Sequence, residues 1–195
     1  RHGQTDLNKN HIVQGSGVDS SLNEKGREQA KMFYEQYQSL DFEVILTSKL
    51  QRTHQTVSPF FQKNIPWEQF PEINEICWGI HEGKSSEPWM IEQYKQLTNN
   101  WSAGRFHERI EKGESAFEMG ERLQKFITII KARPEKKILV CSHGRAMRAL
   151  ICLMNGLPLN HMQDFKHHNT GLYLAHYHGD KFEFELNNDI SHLKF

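Results

Sequence analysis

The chain has 195 residues, with 24 Lys+Arg against 24 Asp+Glu, so its formal net charge is zero. That length suits one sizeable α/β domain, and the charge balance gives no overall field for nucleic acid or an anionic membrane. Three cysteines (Cys77, Cys141 and Cys152) do not make a disulfide framework, which points to a reducing, cytoplasmic setting. No apolar run approaches the ~20 residues that cross a bilayer, and no secretory leader is visible.

Residues 1–22 are polar and rich in Gly, Asn, Asp and Ser, and read as loop. Asn23 is placed to cap a helix over about 24–38, with Ala30, Phe33, Tyr34 and Tyr37 on one face. Phe42 to Leu46 reads as a short strand ending at Thr47-Ser48, and a helix over about 50–62 stops near Asn64 and Pro66. Residues 76–113 hold Trp78, Trp89 and Trp101 and a helix near 87–99, and they interrupt the alternation of strand and helix.

Ser115 and Glu118 form a capping box for a helix to about 131, burying Met119, Leu123, Phe126, Ile127 and Ile130. Lys137 to Ser142 reads as a buried strand, and Gly144 opens a helix to about Asn155 that Gly156 and Pro158 close. Gly171–Tyr177 and Phe182–Leu186 flank His178-Gly179-Asp180 as a terminal hairpin. The pattern predicts an α/β three-layer sandwich: a mostly parallel, doubly wound sheet with helices on both faces. Residues 1–195 form a single domain in this reading, with 76–113 a small helical insertion over one end of the sheet.

Four short segments carry chemistry. The first is Arg1-His2-Gly3 with Thr5 and Asn8, and the second is Ser48-x-Leu50-x-Arg52 at a strand end. The third is Ile73-Asn74-Glu75, followed by Gly79 and Glu82-Gly83; the fourth is Ser142-His143-Gly144 at a strand-to-helix turn. Ligands of open α/β sheets bind beyond the carboxyl ends of strands, and a helix N-terminus there suits a phosphate. Singly, each segment is weak, because most histidines in such a chain are surface or satisfied core residues.

Together and in this order the segments resemble the histidine phosphatase superfamily, also called the phosphoglycerate mutase-like family. The resemblance runs from Arg1 to about Thr170. Gln14-Gly15, Asp19, Leu22, Lys25-Gly26, Gly113-Glu114-Ser115 and Arg122 match further family elements. His81 stands where the family often has an aromatic residue, and Thr53 where it often has Ala after the arginine; both substitutions bear on the pocket. A motif such as Arg1-His2-Gly3 normally follows a strand, so a short apolar segment is expected before Arg1.

The resemblance implies that His2 is the nucleophile and Glu75 the acid, with Arg1, Arg52 and His143 completing the catalytic set. Asn8, Gln14, Gly15 and Gly144 are placed at the substrate phosphate, and no metal or cofactor is implied. The chemistry agrees. Phosphoryl transfer needs in-line positioning and neutralisation of oxygen charge, and the guanidinium groups of Arg1 and Arg52 present planar, permanent cations. Those cations disfavour the imidazolium of His2, whose Nε2 lone pair must be free while Nδ1 donates, as to a backbone carbonyl. His143 is expected as a further donor to phosphate. Glu75 must hold a proton for the leaving oxygen, kept there by burial and by the phosphate dianion, and then activate water.

The expected function is hydrolysis of a small phosphorylated metabolite through phosphohistidine, with no nucleic acid or membrane partner and the oligomeric state open to a homodimer. The alternatives are a mutase and a non-catalytic phospho-ligand binding protein. Mutases of the family are usually longer, with a further insertion and a C-terminal tail, and a binding module typically lacks the nucleophile or the acid. Plainer readings stand beside these. Asn8 and Gln14-Gly15 serve equally as turn residues, and the tryptophans as packing. His167-His168 and His176-x-His178 read as surface groups rather than metal ligands, since no third ligand is in frame. Lys84, Arg105, Arg109 and Lys112 read as a solvated face rather than as contacts to a second anionic group of the substrate.

Overall fold

Alternating apolar residues on short strands decide the layers. In β1 (Val44–Thr47) Val44 and Leu46 face one side and Ile45 the other; in β3 (Ile138–Cys141) Ile138 and Val140 share the first side and Leu139 and Cys141 the second. The computed structural model describes residues 1–193. Its parallel sheet has the order β2-β1-β3, with β2 spanning Trp67–Gln69. One face is covered by α2 (Glu24–Tyr37) and α3 (Gln51–Val57), which bring Phe33 and Val57 onto Ile45 and Leu139. The other is covered by α5 (Ala116–Lys131) and α6 (Gly144–Met154), which bring Met119, Leu123, Phe126, Ala149 and Leu150 onto Val44 and Leu46. The α/β sandwich expected from the sequence is therefore present. Among the described residues no helix is long and apolar enough to cross a membrane.

The helices begin where the sequence places them. Asn23 accepts from Gly26 N at the start of α2, and Ser115 and Glu118 form a reciprocal capping box at the start of α5. Three elements before residue 70 differ from expectation. Residues 50–62 are not one helix: α3 ends at Val57, and a 3-10 segment from Ser58 to Lys63, with Pro59 in its first turn, replaces the second half. Strand β2 was not anticipated, because three residues with Trp67 exposed show no apolar run. Within the opening loop, Thr5 and Asn8 form a capping box on a one-turn helix, α1 (Asp6–Lys9).

Strands β4 (Leu172–Tyr177) and β5 (Phe182–Asp189) form the expected hairpin as a separate antiparallel sheet. The Arg1–His2 backbone links it to the parallel sheet. His2 N donates to Ser142 O at 3.0 Å, and Thr170 N donates to Arg1 O at 2.9 Å. The helix at 87–99 is longer than expected, α4 (Pro88–Ser102). Its Leu97 and Trp101, with Trp78 and Ile110, join the main core instead of forming a core of their own.

The first turn of α2 fixes the loop that carries His2. A Cβ at Gly26 would lie 2.0 Å from Gln4 O, so only a residue without a side chain lets the helix backbone abut the Gly3–Gln4 backbone. Gly26→Ala is therefore expected to destabilise the chain by about 1–3 kcal/mol in urea unfolding, the usual range for overpacking, and to lower turnover from outside the cavity. Unchanged stability together with an unchanged rate would show that this contact fixes nothing.

Candidate active site

A cavity of about 300 Å³ opens beyond the carboxyl ends of β1 and β3, and Arg1, His2, Arg52, Glu75 and Gly144 line it. Four distant segments thus meet as the motifs require. His2 is 3% exposed, and its Nδ1 lies 2.7 Å from Gly3 O. A carbonyl only accepts, so Nδ1 carries the proton and Nε2 keeps its lone pair. Burial, and then the charges of Arg1 and Arg52, hold the imidazole's pKa well below its ordinary value.

Arg52 is fully buried, and its fork is held on three sides. Nη1 donates to Val18 O at 2.7 Å, Nη2 to Gly15 O at 3.2 Å and Nε to His143 Nδ1 at 3.1 Å. Gly15 therefore acts through its carbonyl on Arg52 and does not line the cavity, which corrects its expected place at the phosphate. His143 needs a similar correction. Its Nδ1 accepts from Arg52, so Nε2 is the donor, and it goes to Ser48 Oγ at 2.8 Å. With both nitrogens engaged, His143 orients Arg52 rather than offering a free donor to phosphate. Burial and Arg52 keep it neutral by lowering its pKa well below the ordinary value. Thr53, the departure next to Arg52, contacts the same serine: its Oγ1 lies 3.0 Å from Ser48 Oγ.

Arg1 lines the cavity with its Nη1 donating to His167 Nδ1 and His167 O, both at 3.1 Å, while its Nε is buried without a partner. Burial pushes its pKa down to about 10. His167 is not the surface group its sequence position suggests: burial and Arg1 push its pKa down to about 3. Gly144 makes room for the pair, since a Cβ there would stand 3.0 Å from His167 Cε1 and 3.5 Å from Arg1 Nε. Asn169 was also missed. Its Nδ2 donates to His2 O at 2.9 Å. Asn8 and Gln14 do line the cavity, each also tied to Thr5.

Glu75 sits on the N-terminus of α6. Oε1 accepts from Ile76 N at 3.0 Å and Ala146 N at 2.9 Å, and Oε2 accepts from Arg145 N at 3.1 Å. The helix end expected to meet phosphate directly thus serves the carboxylate with its Arg145 and Ala146 N–H groups. Oε1 has both lone pairs occupied, whereas Oε2 retains one for a proton. The loop carrying Glu75 is clamped from both sides. Arg122 Nη1 donates to Glu72 O at 2.6 Å and Asn74 O at 2.9 Å, and Arg122 pairs bidentately with Glu114 at 2.6 and 2.8 Å. Glu114 N in turn donates to Cys77 O at 2.8 Å.

Other candidates lie elsewhere. Glu82 ties Trp78 N to Gly17 N, a structural contact. Trp78 and His81 border the cavity, with His81 2.7 Å from Gln93 Oε1, so the departure at position 81 does shape the pocket. Arg109 and Lys112 border a second depression, which meets the cavity at Glu75, and Lys84 and Arg105 are exposed. His176 and His178 face Glu185 and Glu183 on the exposed hairpin. Among the described residues no group of three His, Cys, Asp or Glu side chains converges as metal ligands would.

The histidine phosphatase superfamily (branch 1) profile matches residues 1–190. A protein of Cronobacter sakazakii named "Probable phosphoglycerate mutase GpmB" is 32% identical over 163 residues, covering 81% of this chain and 74% of its own length. The adenosylcobalamin/alpha-ribazole phosphatase of Escherichia coli is 27% identical over 171 residues, covering 85% and 82%. The structure of Bacillus stearothermophilus YhfR superposes with a TM-score of 0.85 at 26% identity, covering 98% of this chain and 96% of that one.

Two outcomes follow from this geometry. Because His2 and His143 stay neutral when folded but take up protons near pH 6.5 when unfolded, the unfolded state binds more protons as pH falls below that value. Stability is expected to drop between pH 6.5 and 5 by up to about 1.4 kcal/mol per pH unit for each imidazole. Urea unfolding across that window checks it, and a flat profile contradicts it. Arg122→Met should loosen the Glu75 loop and lower kcat by about tenfold, the scale of a small misplacement, with KM changing less. Arg122→Lys should recover part of the loss, and an equal rise in KM alone would point to a different role.

Proposed function

The chain belongs to the histidine phosphatase superfamily, and within it we propose that the chain hydrolyses small phosphorylated metabolites by way of phosphohistidine at His2. The observation that supports this most is the 2.7 Å contact of His2 Nδ1 with Gly3 O, which leaves Nε2 as a nucleophile inside a cationic cavity. In the first half-reaction Nε2 bonds to phosphorus as the ester P–O bond breaks. Glu75 passes the proton held on Oε2 to the departing oxygen, and the alcohol leaves. In the second, water gives a proton to Glu75, its oxygen bonds to phosphorus and the P–N bond breaks, which releases inorganic phosphate and restores His2. Arg1 and Arg52 balance the charge on the transferring oxygens throughout.

Hydrolysis is favoured over transfer between positions of one molecule by the exposure of Ser86 and Ile91 at the cavity rim, which leaves the cavity open to solvent. A mutase must shield phosphohistidine from water. The three cysteines are free, which supports a reducing, cytoplasmic setting for this activity.

Turnover of an aryl phosphate is expected without any bisphosphoglycerate primer. His2→Ala should lower it by about 10³-fold or more, and Glu75→Gln by about 10²–10⁴-fold, as for loss of a nucleophile and of a general acid. Strict dependence on the primer would reverse the assignment in favour of a mutase, and an unchanged rate in His2→Ala would remove the phosphohistidine mechanism.

A further inference from the structure

Arg145 was not singled out from the sequence, yet it lines the same cavity and is only 5% exposed. Its backbone N–H holds Glu75 Oε2, but its side chain runs across to α4. Nη2 donates to Tyr94 Oη, and the guanidinium carbon lies 5.6 Å from the Tyr94 ring and 5.8 Å from the rings of Trp78 and Trp101. The rings favour a cation but offer no lone pair. Nη1 is buried with no hydrogen-bond partner at all. One turn along α6, Arg148 Nε is also a buried donor without a partner. A buried guanidinium surrounded by rings, with an unmet donor, is a group prepared for an anion.

The phosphate does not account for it. The side-chain cations whose charges act on His2 are Arg1 and Arg52. Arg145 lies instead on the side of the departing alcohol, because the ester oxygen must reach Glu75 Oε2, the atom that accepts from Arg145 N. Beyond that oxygen the cavity is lined by Met90, Ile91 and Tyr94 of α4, the side on which the Arg145 guanidinium lies. Resting on the phosphatase reading above, we propose that Arg145 is the specificity-determining residue for a substrate whose alcohol part carries a carboxylate: a phosphate ester of a small hydroxy acid.

The test uses pairs that differ only in the anion: phosphoglycolate against ethyl phosphate, and the phosphate of 3-hydroxypropionate against propyl phosphate. The wild type should favour at least one acid ester by about tenfold or more in kcat/KM, the scale of one charge-assisted hydrogen bond. Arg145→Met should bring that ratio close to one, whatever its rate on the alkyl ester, and Arg145→Lys should keep part of it. Retained binding of the alkyl esters reports that the variants are folded. Equal rates on acid and alkyl esters in the wild type, or a ratio that survives Arg145→Met, would overturn the proposal and leave the guanidinium as packing for the three rings. If the wild type hydrolyses none of the esters, the phosphatase reading fails. Calorimetric Kd values for the same pairs then decide this one: a preference lost in Arg145→Met sustains it, and equal Kd values sink it.

Discussion

Positive charge held out of water, with hydrogen bonds to neutral groups in place of salt bridges, is the condition on which this site is built. Arg52 directs its donors to two carbonyls and a histidine, Arg1 directs Nη1 to His167, and Arg145 directs Nη2 to a tyrosine hydroxyl. Glu75 is the one carboxylate lining the same cavity among the described residues. A buried charge without a partner is unfavourable, and an anion entering the cavity relieves it. Burial first, and then the charges of Arg1 and Arg52, keep His2 and His143 uncharged, as the proposed nucleophile and the acceptor for Arg52 both require. Anion binding and nucleophile activation are therefore one electrostatic arrangement.

The fold supplies the rigidity this needs. Ser48 follows β1 and His143 follows β3, neighbouring parallel strands, so the Ser48–His143–Arg52 chain of hydrogen bonds spans a gap that the sheet register sets. Backbone bonds stitch His2 to Ser142, and Arg1 to Thr170, on the far side of β3. Glu75 comes from a loop with little regular structure, and the Arg122–Glu114 pair compensates by gripping that loop through its carbonyls. Because Arg122 and Glu114 lie outside the cavity, their contribution is positional, and it acts through Glu75.

Which parts were legible in the sequence follows from the range of the signals. Arg1, His2, Arg52, Glu75 and His143 were readable because each sits in a short motif beside a strand end or turn. Ser115 and Glu118 were readable because a capping box is local. What each group touches was not. Whether His143 faces phosphate or Arg52 depends on packing between segments 91 residues apart, and the contact of His167 with Arg1 spans 166 residues. Strand β2 escaped because it is an edge strand of three residues that follows the apolar pattern of neither layer. Arg145 escaped for another reason: beside a histidine motif at a helix start, an arginine reads as an ordinary helical residue. Only the arrival of α4 turns it into a caged cation.

That arrangement separates two tasks within one residue. The main-chain N–H of residue 145 holds Glu75, and every residue type except proline supplies that N–H. The side chain is free to vary without moving the acid. The relatives bear names with unlike alcohols, a phosphoglycerate and a ribazole, on one fold. A shared chemical step with diverse leaving groups calls for a position that touches the leaving group but serves the acid only through its backbone. Residue 145 is the position we propose for that task, and Tyr94 and Trp78 shape the surroundings of its side chain from α4 and from the loop before it. On that proposal, divergence in this region retunes the alcohol that is accepted while His2, Arg1, Arg52 and Glu75 stay in place.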